Sequence, residues 1–388
     1  MAPTAVETTP ALPILTKGKV AAPLRATGAL KDLESFEVTP VIGREYPKAN
    51  LVDLLKAPNS DELIRDLAVT ISERGVVFFR AQDNLTADLQ KELITRLGQL
   101  TGRPAESGLH IHPLLNPGRE LGGDDPEISV ISSVAFKKYY KEETVDGLST
   151  KKQTNAQWHS DIAFEPFPAD YSSLRLEQLP KTGGDTAWAS GYEIYDKLSG
   201  PYQKFLEGLS VTFEQPRFGQ SAAENGFELY DKPRGHPENV GSQLKAIHPV
   251  VRTNPVTGWK SIFPVGGHVK HINGVTEAES QHLLSWFLDL VYKNYDLQVR
   301  FKWQNPNDIG MSPFPLFAPF FPQVNLIADE SLFSGVAIWD NRSTFHSAIF
   351  DYEAEGDRLG IRAVGIGERP FFDPQSSSRQ EALAARGD

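Results

Sequence analysis

The stretch Trp158-His159-Ser160-Asp161 determines how the rest of the chain is interpreted. In an extended strand, side chains two positions apart lie on the same face, so the imidazole of His159 and the carboxylate of Asp161 are expected to point the same way. Both groups are metal ligands. A His-x-Asp pair also occurs on ordinary surface strands, so a metal site here requires a third ligand from elsewhere in the chain.

His346 is the predicted third ligand. It ends the stretch Ala337-Ile338-Trp339-Asp340-Asn341-Arg342-Ser343-Thr344-Phe345-His346, which we interpret as the strand of the distal histidine. Two histidines and one carboxylate on one face of a metal leave its other positions open, and non-haem Fe(II) oxygenases use this arrangement. His159, Asp161 and His346 are therefore the predicted ligand set.

Composition excludes several kinds of partner and site. The formal net charge is -11 and no segment is densely basic, so neither nucleic acid nor an anionic membrane is an expected partner. The chain has no cysteine, which excludes disulfides, thiolate nucleophiles and iron–sulfur clusters. No apolar run approaches the roughly 18 residues of a membrane span and no secretory signal is present, so we expect a cytoplasmic protein. Homo-oligomerisation is left open.

Patterning predicts one domain, residues 36–373, between loose tails at residues 1–35 and 374–388. Helical spacing predicts helices over residues 60–73 and 86–100, with a buried strand over residues 76–80 between them. Thr276 and Glu279 form a capping box at the start of a further helix, and residues 254–258 are typical of a hairpin turn. Many strands with few helices favour a mainly β fold with flanking helices over a doubly wound sheet.

Seven short motifs stand in a recognisable order. They are Val-Val-Phe-Phe-Arg (76–80), Leu-His-Ile-His-Pro (109–113), Asn155 with Trp-His-Ser-Asp, Gly-Gly-Asp-Thr (183–186), His-Pro-Val-Val-Arg-Thr (248–253), Trp-Asp-Asn-Arg with His346, and Arg358 with Arg362. With these motifs, residues 36–372 resemble the TauD/TfdA family of Fe(II)- and 2-oxoglutarate-dependent dioxygenases, in particular its fungal members related to sulfonate dioxygenases. The resemblance implies a double-stranded β-helix, a cupin-like jelly roll, that uses Fe(II), 2-oxoglutarate and O2.

The resemblance also assigns the binding residues. Arg358, with the hydroxyl of Thr186, would hold the distal carboxylate of 2-oxoglutarate, because arginine offers a planar, permanently charged fork. Sulfonate-cleaving members of the family hold an anionic substrate group with counterparts of His112 and Arg362. A small anionic substrate is therefore implied.

Other residues have secondary roles in this interpretation. Asn155 and Phe345 are candidate substrate contacts, whereas Trp158 is interpreted as core packing or as a substrate wall. Residues 142–153 form a polar loop that could close over substrate. The remaining histidines are interpreted as structural or surface residues: His110, His236, His248, His268, His271 and His282.

The implied reaction couples oxidative decarboxylation of 2-oxoglutarate, to succinate and CO2, with hydroxylation of an unactivated C–H bond. For an alkyl sulfonate such as taurine, the hydroxylated product would collapse to an aldehyde and sulfite. One alternative is an oxygenase of a small amino acid or carboxylate in secondary metabolism. Another is a non-catalytic binding protein of the same fold.

One segment departs from the family pattern. Residues 310–335, which include the Pro- and Phe-rich run 311–322, intervene where family members pass almost directly into the Trp-Asp-Asn-Arg strand. One interpretation is a specificity lid. The other is a retained intron, because Gly-Met and Ser-Gly at the two ends are compatible with in-frame splice signals, and excision would join Gly310 to Val336.

Overall fold

The computed structural model describes residues 22–117, 121–139, 144–145, 148–149, 158–303, 335–352 and 355–387. The strands are β1 (Phe36–Glu37), β2 (Arg44–Tyr46), β3 (Val76–Phe79), β4 (Ile128–Ser132), β5 (Thr144–Val145), β6 (Leu148–Ser149), β7 (Ala169–Gln178), β8 (Thr186–Ser190), β9 (Ser210–Glu214), β10 (Lys245–Pro249), β11 (Val251–Thr253), β12 (Lys260–Ile262), β13 (Val269–Asn273), β14 (Gln298–Phe301), β15 (Val336–Asp340), β16 (Thr344–Ala348) and β17 (Leu359–Ile366). The helices are α1 (Leu51–Lys56), α2 (Ser60–Arg74), α3 (Ala87–Gln99), α4 (Ser133–Tyr139), α5 (Gly191–Asp196), α6 (Gly200–Leu206), α7 (Pro216–Glu224), α8 (Glu277–Lys293) and α9 (Arg379–Arg386), with a 3-10 turn at Tyr295–Leu297.

A large sheet and a small sheet face each other. The seven-stranded sheet has the order β1-β2-β3-β15-β7-β17-β4, and a three-stranded sheet has the order β14-β8-β16. Apart from the parallel pair β2–β3, the pairings in these two sheets are antiparallel. Side chains of β3, β7 and β15 pack with side chains of β8 and β14 in one apolar cluster. The result is a mixed sheet-and-helix architecture, and the double-stranded β-helix stays a prediction.

Strand β3 shows how the centre of the large sheet is covered on both faces. Its alternate residues Val76 and Phe78 pack against the small sheet, whereas Val77 and Phe79 pack under helices α1–α3. All four side chains are buried, as expected for a strand that is covered on both faces. The predicted helix–strand–helix unit at residues 60–100 is therefore confirmed.

Local signals also position the remaining elements. The Thr276 side chain and Glu279 form the predicted capping box at the start of α8, and β11 pairs with β12 across the predicted turn at residues 254–258. Pro201 stands in the first turn of α6, where its missing N–H costs no hydrogen bond. None of the described helices combines the length and apolar character needed to cross a membrane.

The two tails differ from the prediction. Residues 22–35 are not loose throughout, because the buried carboxylate of Asp66 accepts hydrogen bonds from the backbone N–H groups of Thr27, Gly28 and Ala29 at 2.8–2.9 Å. At the other end, helix α9 stands where a loose tail was expected. It begins with a capping box of Ser378 and Glu381, a signal that the sequence carried.

The metal-ligand segments also differ from the predicted strands. His159 forms only an isolated antiparallel bridge with His346, and the chain turns directly afterwards at Ile162, where φ is 59°. The stretch predicted as one distal-histidine strand is two strands, β15 and β16, which belong to different sheets. The turn between them carries the chain from the large sheet to the small one, next to the bridge.

Candidate metal centre

His159, Asp161 and His346 meet, as predicted from the sequence. One ligand atom from each lies within 4.8 Å of the others, and the Nε2 atom of each histidine is 3.8 Å from Oδ1 of Asp161. The backbones of the two histidines exchange hydrogen bonds of 3.1 and 2.9 Å. Because 3.8 Å is too long for a hydrogen bond, the three groups surround a common point, which suits ligands of one cation.

The charge states of these groups also fit a metal. Burial by itself raises the pKa of the Asp161 carboxyl, but the charge of Arg362 and the two histidines hold the pKa well below its usual value. Burial lowers the pKa of His346 well below the usual value. A carboxylate and neutral imidazoles are the forms that bind a divalent metal, so the residues present fit Fe(II).

Asp161 is held by side chains from β7, from β17 and from the turn after β15. Ser172 donates to its Oδ2 at 2.8 Å, and Arg362 donates to its Oδ1 at 2.5 Å. The backbone N–H of Asp161 donates to the side-chain oxygen of Asn341 at 3.1 Å, and the amide nitrogen of Asn341 donates to Ser172 at 2.8 Å. In the sequence, Asn341 stood out only as part of the Trp-Asp-Asn-Arg motif, and its role in orienting Asp161 was not predicted.

Arg358 and Thr186 lie together beside the small sheet. The Nε of buried Arg358 donates to the carbonyl of Gly184 at 2.9 Å, and its Nη2 donates to the Thr186 hydroxyl at 3.1 Å. The indole N–H of Trp303 also donates to that hydroxyl, at 3.1 Å. Thr186 thus accepts two hydrogen bonds, so its own proton can be donated to an anion beside the guanidinium.

His112 is buried, and its ring is held in one tautomer. Its Nδ1 accepts hydrogen bonds from the backbone N–H groups of Leu114 and Leu115, both at 3.0 Å, so the proton must lie on Nε2. Burial lowers the pKa of His112 to about 3, helped by the charge of Arg362. His112 is therefore a neutral donor near physiological pH.

Arg362 points into the centre with unused hydrogen-bonding capacity. Besides its bond to Asp161, its Nε is buried and has no partner among the described residues. Buried donors without partners are uncommon and suggest an absent acceptor. Arg362 and His112 are thus brought near the ligand set, as the resemblance implied.

Of the two further predicted substrate contacts, Phe345 lies in the core and Asn155 lies outside the described residues. Phe345 is buried in the apolar cluster beside α5 and β12, and as the neighbour of His346 on a strand it faces the opposite side. We therefore assign Phe345 to the core, which corrects the prediction. Asn155 lies outside the described residues, and so does most of the loop 142–153, apart from the paired strands β5 and β6. Residues 310–334 also lie outside.

His268, which the sequence analysis interpreted as structural or surface, lies beside the ligand set. Its ring centroid lies 5.3 Å from that of His159 and 5.1 Å from that of Phe164. Burial lowers the pKa of His268 to about 3, with a further contribution from His159. The only sequence signal was the preceding Gly266-Gly267 pair, which indicates a close backbone approach but not its target.

Comparison with known proteins agrees with this geometry. The family described as "Taurine catabolism dioxygenase TauD, TfdA family" matches residues 34–311. The alpha-ketoglutarate-dependent dioxygenase oryG of Aspergillus oryzae is 46% identical, over 95% of this chain and 98% of that protein. A putative alpha-ketoglutarate-dependent sulfonate dioxygenase of Schizosaccharomyces pombe is 31% identical, over 84% of this chain and 68% of that protein. Among solved structures, a putative alpha-ketoglutarate-dependent taurine dioxygenase from Burkholderia xenovorans superposes with a TM-score of 0.59 at 25% identity, over 88% of this chain and 92% of that one.

Proposed function

The chain belongs to the TauD, TfdA family of dioxygenases, and from that premise we propose that it hydroxylates a small anionic substrate held by Arg362 and His112. It is an alpha-ketoglutarate-dependent dioxygenase that uses Fe(II), 2-oxoglutarate and O2. The non-catalytic alternative is therefore set aside. The substrate and the binding roles below are the proposal.

His159, Asp161 and His346 would hold Fe(II). Bound there, the metal would supply the activation of O2 that couples decarboxylation of 2-oxoglutarate to substrate hydroxylation. Ser172 and Asn341 keep the Asp161 carboxylate oriented, through Oδ2 and the backbone N–H respectively. Their contribution is to fix one ligand before the metal and co-substrates arrive.

Arg358 and Thr186 would bind the distal carboxylate of 2-oxoglutarate. The guanidinium is fixed by Gly184, and the Thr186 hydroxyl has its two acceptor positions filled by Trp303 and Arg358, which directs its own proton outward. A carboxylate placed there would receive charge-assisted hydrogen bonds from both side chains.

The observation that carries the proposed substrate class is the pair of donors at Arg362 and His112. Arg362 has a buried Nε without a partner, and His112 presents an Nε2–H because its Nδ1 is already an acceptor. One is a cation and the other a neutral donor, so together they suit a single sulfonate or carboxylate. An alkyl sulfonate such as taurine, cleaved to sulfite and an aldehyde, is the first candidate. A small amino acid or carboxylate uses the same two donors and is the second.

The test is to incubate the Fe(II) enzyme with 2-oxoglutarate, O2 and a panel of alkyl sulfonates and small carboxylic and amino acids. Sulfite and succinate are measured in the same tubes. Sulfite equal to succinate supports desulfonation, and succinate above the substrate-free rate without sulfite supports hydroxylation of a carboxylate. The proposal would be refuted if no anion in the panel stimulated succinate formation and if the rate of succinate formation were the same in Arg362→Ala, His112→Phe and the wild type.

A further inference from the structure

His268 lies on the accessible side of the metal centre. Its ring is edge-on to that of His159, at an interplanar angle of 81° and a centroid distance of 5.3 Å. The side chain of His159 is 29% exposed, whereas that of Asp161 is only 2% exposed. His268 is itself partly exposed. A substrate that reaches the ligand set past His159 therefore passes His268.

The backbone fixes the position of His268 relative to the ligands. The N–H of Gly267 donates to the carbonyl of Trp158 at 3.0 Å, directly before His159. Gly266 has φ of +92°, and a Cβ atom added there would lie 1.6 Å from the same carbonyl oxygen. Only glycine permits this approach, so the proximity of His268 to the metal centre is built into the chain.

Gln215 sets the tautomer of His268. Its side-chain nitrogen lies 3.0 Å from Nδ1 of His268, and an amide NH2 can only donate, so Nδ1 accepts and the ring proton lies on Nε2. Gln215 directly precedes α7 but makes no capping hydrogen bond to that helix. Its side chain serves His268 instead. The hydrogen bonds of the described residues include no acceptor for the Nε2–H of His268.

His268 and His112 stand at the two ends of one aromatic wall. The ring of Phe218 lies 5.0 Å from His112 and 5.7 Å from Phe164, and Phe164 lies 5.1 Å from His268. Helix α7 supplies Phe218, and the residue directly before that helix is Gln215. Each end of the wall therefore carries an imidazole with its proton on Nε2.

We propose that His268 determines substrate specificity by donating its Nε2–H to a second acceptor group of the substrate, at the opposite end from the anionic group. This inference rests on the proposed function, in which Arg362 and His112 hold that anionic group. The substrate class is then a small anion with a further carboxylate, carbonyl or hydroxyl oxygen. An ammonium group can only donate and is mismatched to this end of the wall, so among the proposed alkyl sulfonates taurine should bind more weakly than one that carries a second acceptor group.

Three sulfonates with the same head group test this directly. Sulfoacetate carries a second carboxylate, isethionate a hydroxyl and taurine an ammonium. Their affinities are measured by calorimetry for the full-length enzyme loaded with 2-oxoglutarate and with Mn(II) in place of iron, without O2, so that no turnover is required. The wild type is expected to bind sulfoacetate most tightly and taurine most weakly.

Matched variants separate the hydrogen bond from net charge and shape. His268→Gln keeps an N–H near the position of Nε2, and His268→Phe keeps an aromatic ring without a donor. We expect the ratio of sulfoacetate to taurine affinity to stay near the wild-type value in His268→Gln and to fall about tenfold in His268→Phe. Gln215→Glu places an acceptor against Nδ1, moves the proton there and leaves Nε2 as an acceptor. This variant is expected to shift the ratio toward taurine.

The outcomes are distinguishable. A ratio in His268→Phe that equals the wild-type ratio, or a wild type that prefers taurine, overturns the role of His268 and leaves the anion site intact. Each sulfonate has a matched carboxylate: malonate for sulfoacetate, 3-hydroxypropanoate for isethionate and β-alanine for taurine. If none of these six compounds binds, both this inference and the proposed function are overturned. Mn(II) titration of each variant shows whether its metal centre is formed.

Discussion

The side-chain oxygen of Asn341 accepts a hydrogen bond from the backbone N–H of the metal ligand Asp161 at 3.1 Å, across 180 residues of sequence. The amide nitrogen of Asn341 donates to Ser172, which in turn donates to the Asp161 carboxylate. One side chain thus orients both the backbone and, through Ser172, the carboxylate of this ligand.

Asn341→Ala is expected to weaken Fe(II) or Mn(II) binding by about 10- to 100-fold, because second-sphere partners of metal ligands typically contribute this much. Metal titration measures the effect. Ser160→Ala is the matched control, since Ser160 donates only to the backbone carbonyl of Asn341, at 2.7 Å, and its loss leaves the Asp161 contacts in place. Metal affinity within twofold of wild type in Asn341→Ala would show that Asp161 is positioned without it.

Arg358→Lys is expected to raise the apparent KM for 2-oxoglutarate at least tenfold, because lysine keeps the charge but loses the planar fork that meets Gly184 and Thr186. Thr186→Val should raise the same KM by a smaller factor, through loss of one hydroxyl donor. Succinate formation at varied 2-oxoglutarate measures both.

Arg300→Lys serves as the control for that series. Arg300 is 54% exposed and pairs with Asp185, the neighbour of Thr186. Its substitution shows whether any arginine-to-lysine change near the small sheet alters the KM for 2-oxoglutarate. We expect an unchanged KM. An Arg358→Lys variant with the wild-type KM for 2-oxoglutarate would remove Arg358 from the co-substrate site.

The metal-free protein is expected to lose stability as the pH falls from about 6.5 toward 4. Burial lowers the pKa of His248 to about 3, with a further contribution from Arg252. Above pH 6.5 neither the folded nor the unfolded state protonates this group, so no stability is lost. Between 6.5 and about 3 the unfolded chain binds a proton that the folded chain excludes, so the free energy of unfolding falls by about 1.4 kcal/mol per pH unit for such a group.

Urea denaturation between pH 7 and pH 4.5 measures this slope. His248→Gln keeps an N–H donor for the carbonyls of Ala163 and Glu165, which His248 contacts at 3.0 and 3.1 Å, but cannot take up the proton. In this variant the free energy of unfolding should fall less steeply with pH, by the contribution of about one proton, or about 1.4 kcal/mol per pH unit. Equal slopes in His248→Gln and wild type would contradict the assignment.

The sequence was sufficient for most helices and strands and for the closeness of His159 and Asp161, because these depend on local pattern. The pairing of His159 and Asp161 spans three positions and the capping box at Thr276 spans four, whereas His346 was identified by the motif that it ends. The roles of Asn341 and His268 could not be predicted, since each depends on contacts between segments far apart in sequence. Gly266 illustrates the limit: the residue type indicates a tight approach, but only the fold shows that Trp158 is the group approached.

Trp303 and Gly335, the described residues on either side of residues 304–334, lie in contact, which makes removal of the atypical segment testable. A Cβ atom added at Gly335 would lie 3.1 Å from the indole ring of Trp303, so the chain returns close to where it left the described structure. Deletion of residues 311–335 joins Gly310 to Val336 and keeps residues 304–310 as the connection. That length is ample for two points in contact.

We therefore expect the deletion variant to fold with a Tm equal to or above that of the full chain, because a shorter loop costs less closure entropy, about 0.6 kcal/mol for each halving of its length. Metal affinity and succinate formation should be retained. A variant in which residues 311–335 are replaced by a Gly/Ser linker of the same length separates loop length from sequence. If the deletion variant unfolds or loses metal while this linker variant does not, the connection needs its length; if both fail, the native segment is an integral part of the domain. Sequencing of mature transcripts across this region decides separately whether it is a retained intron.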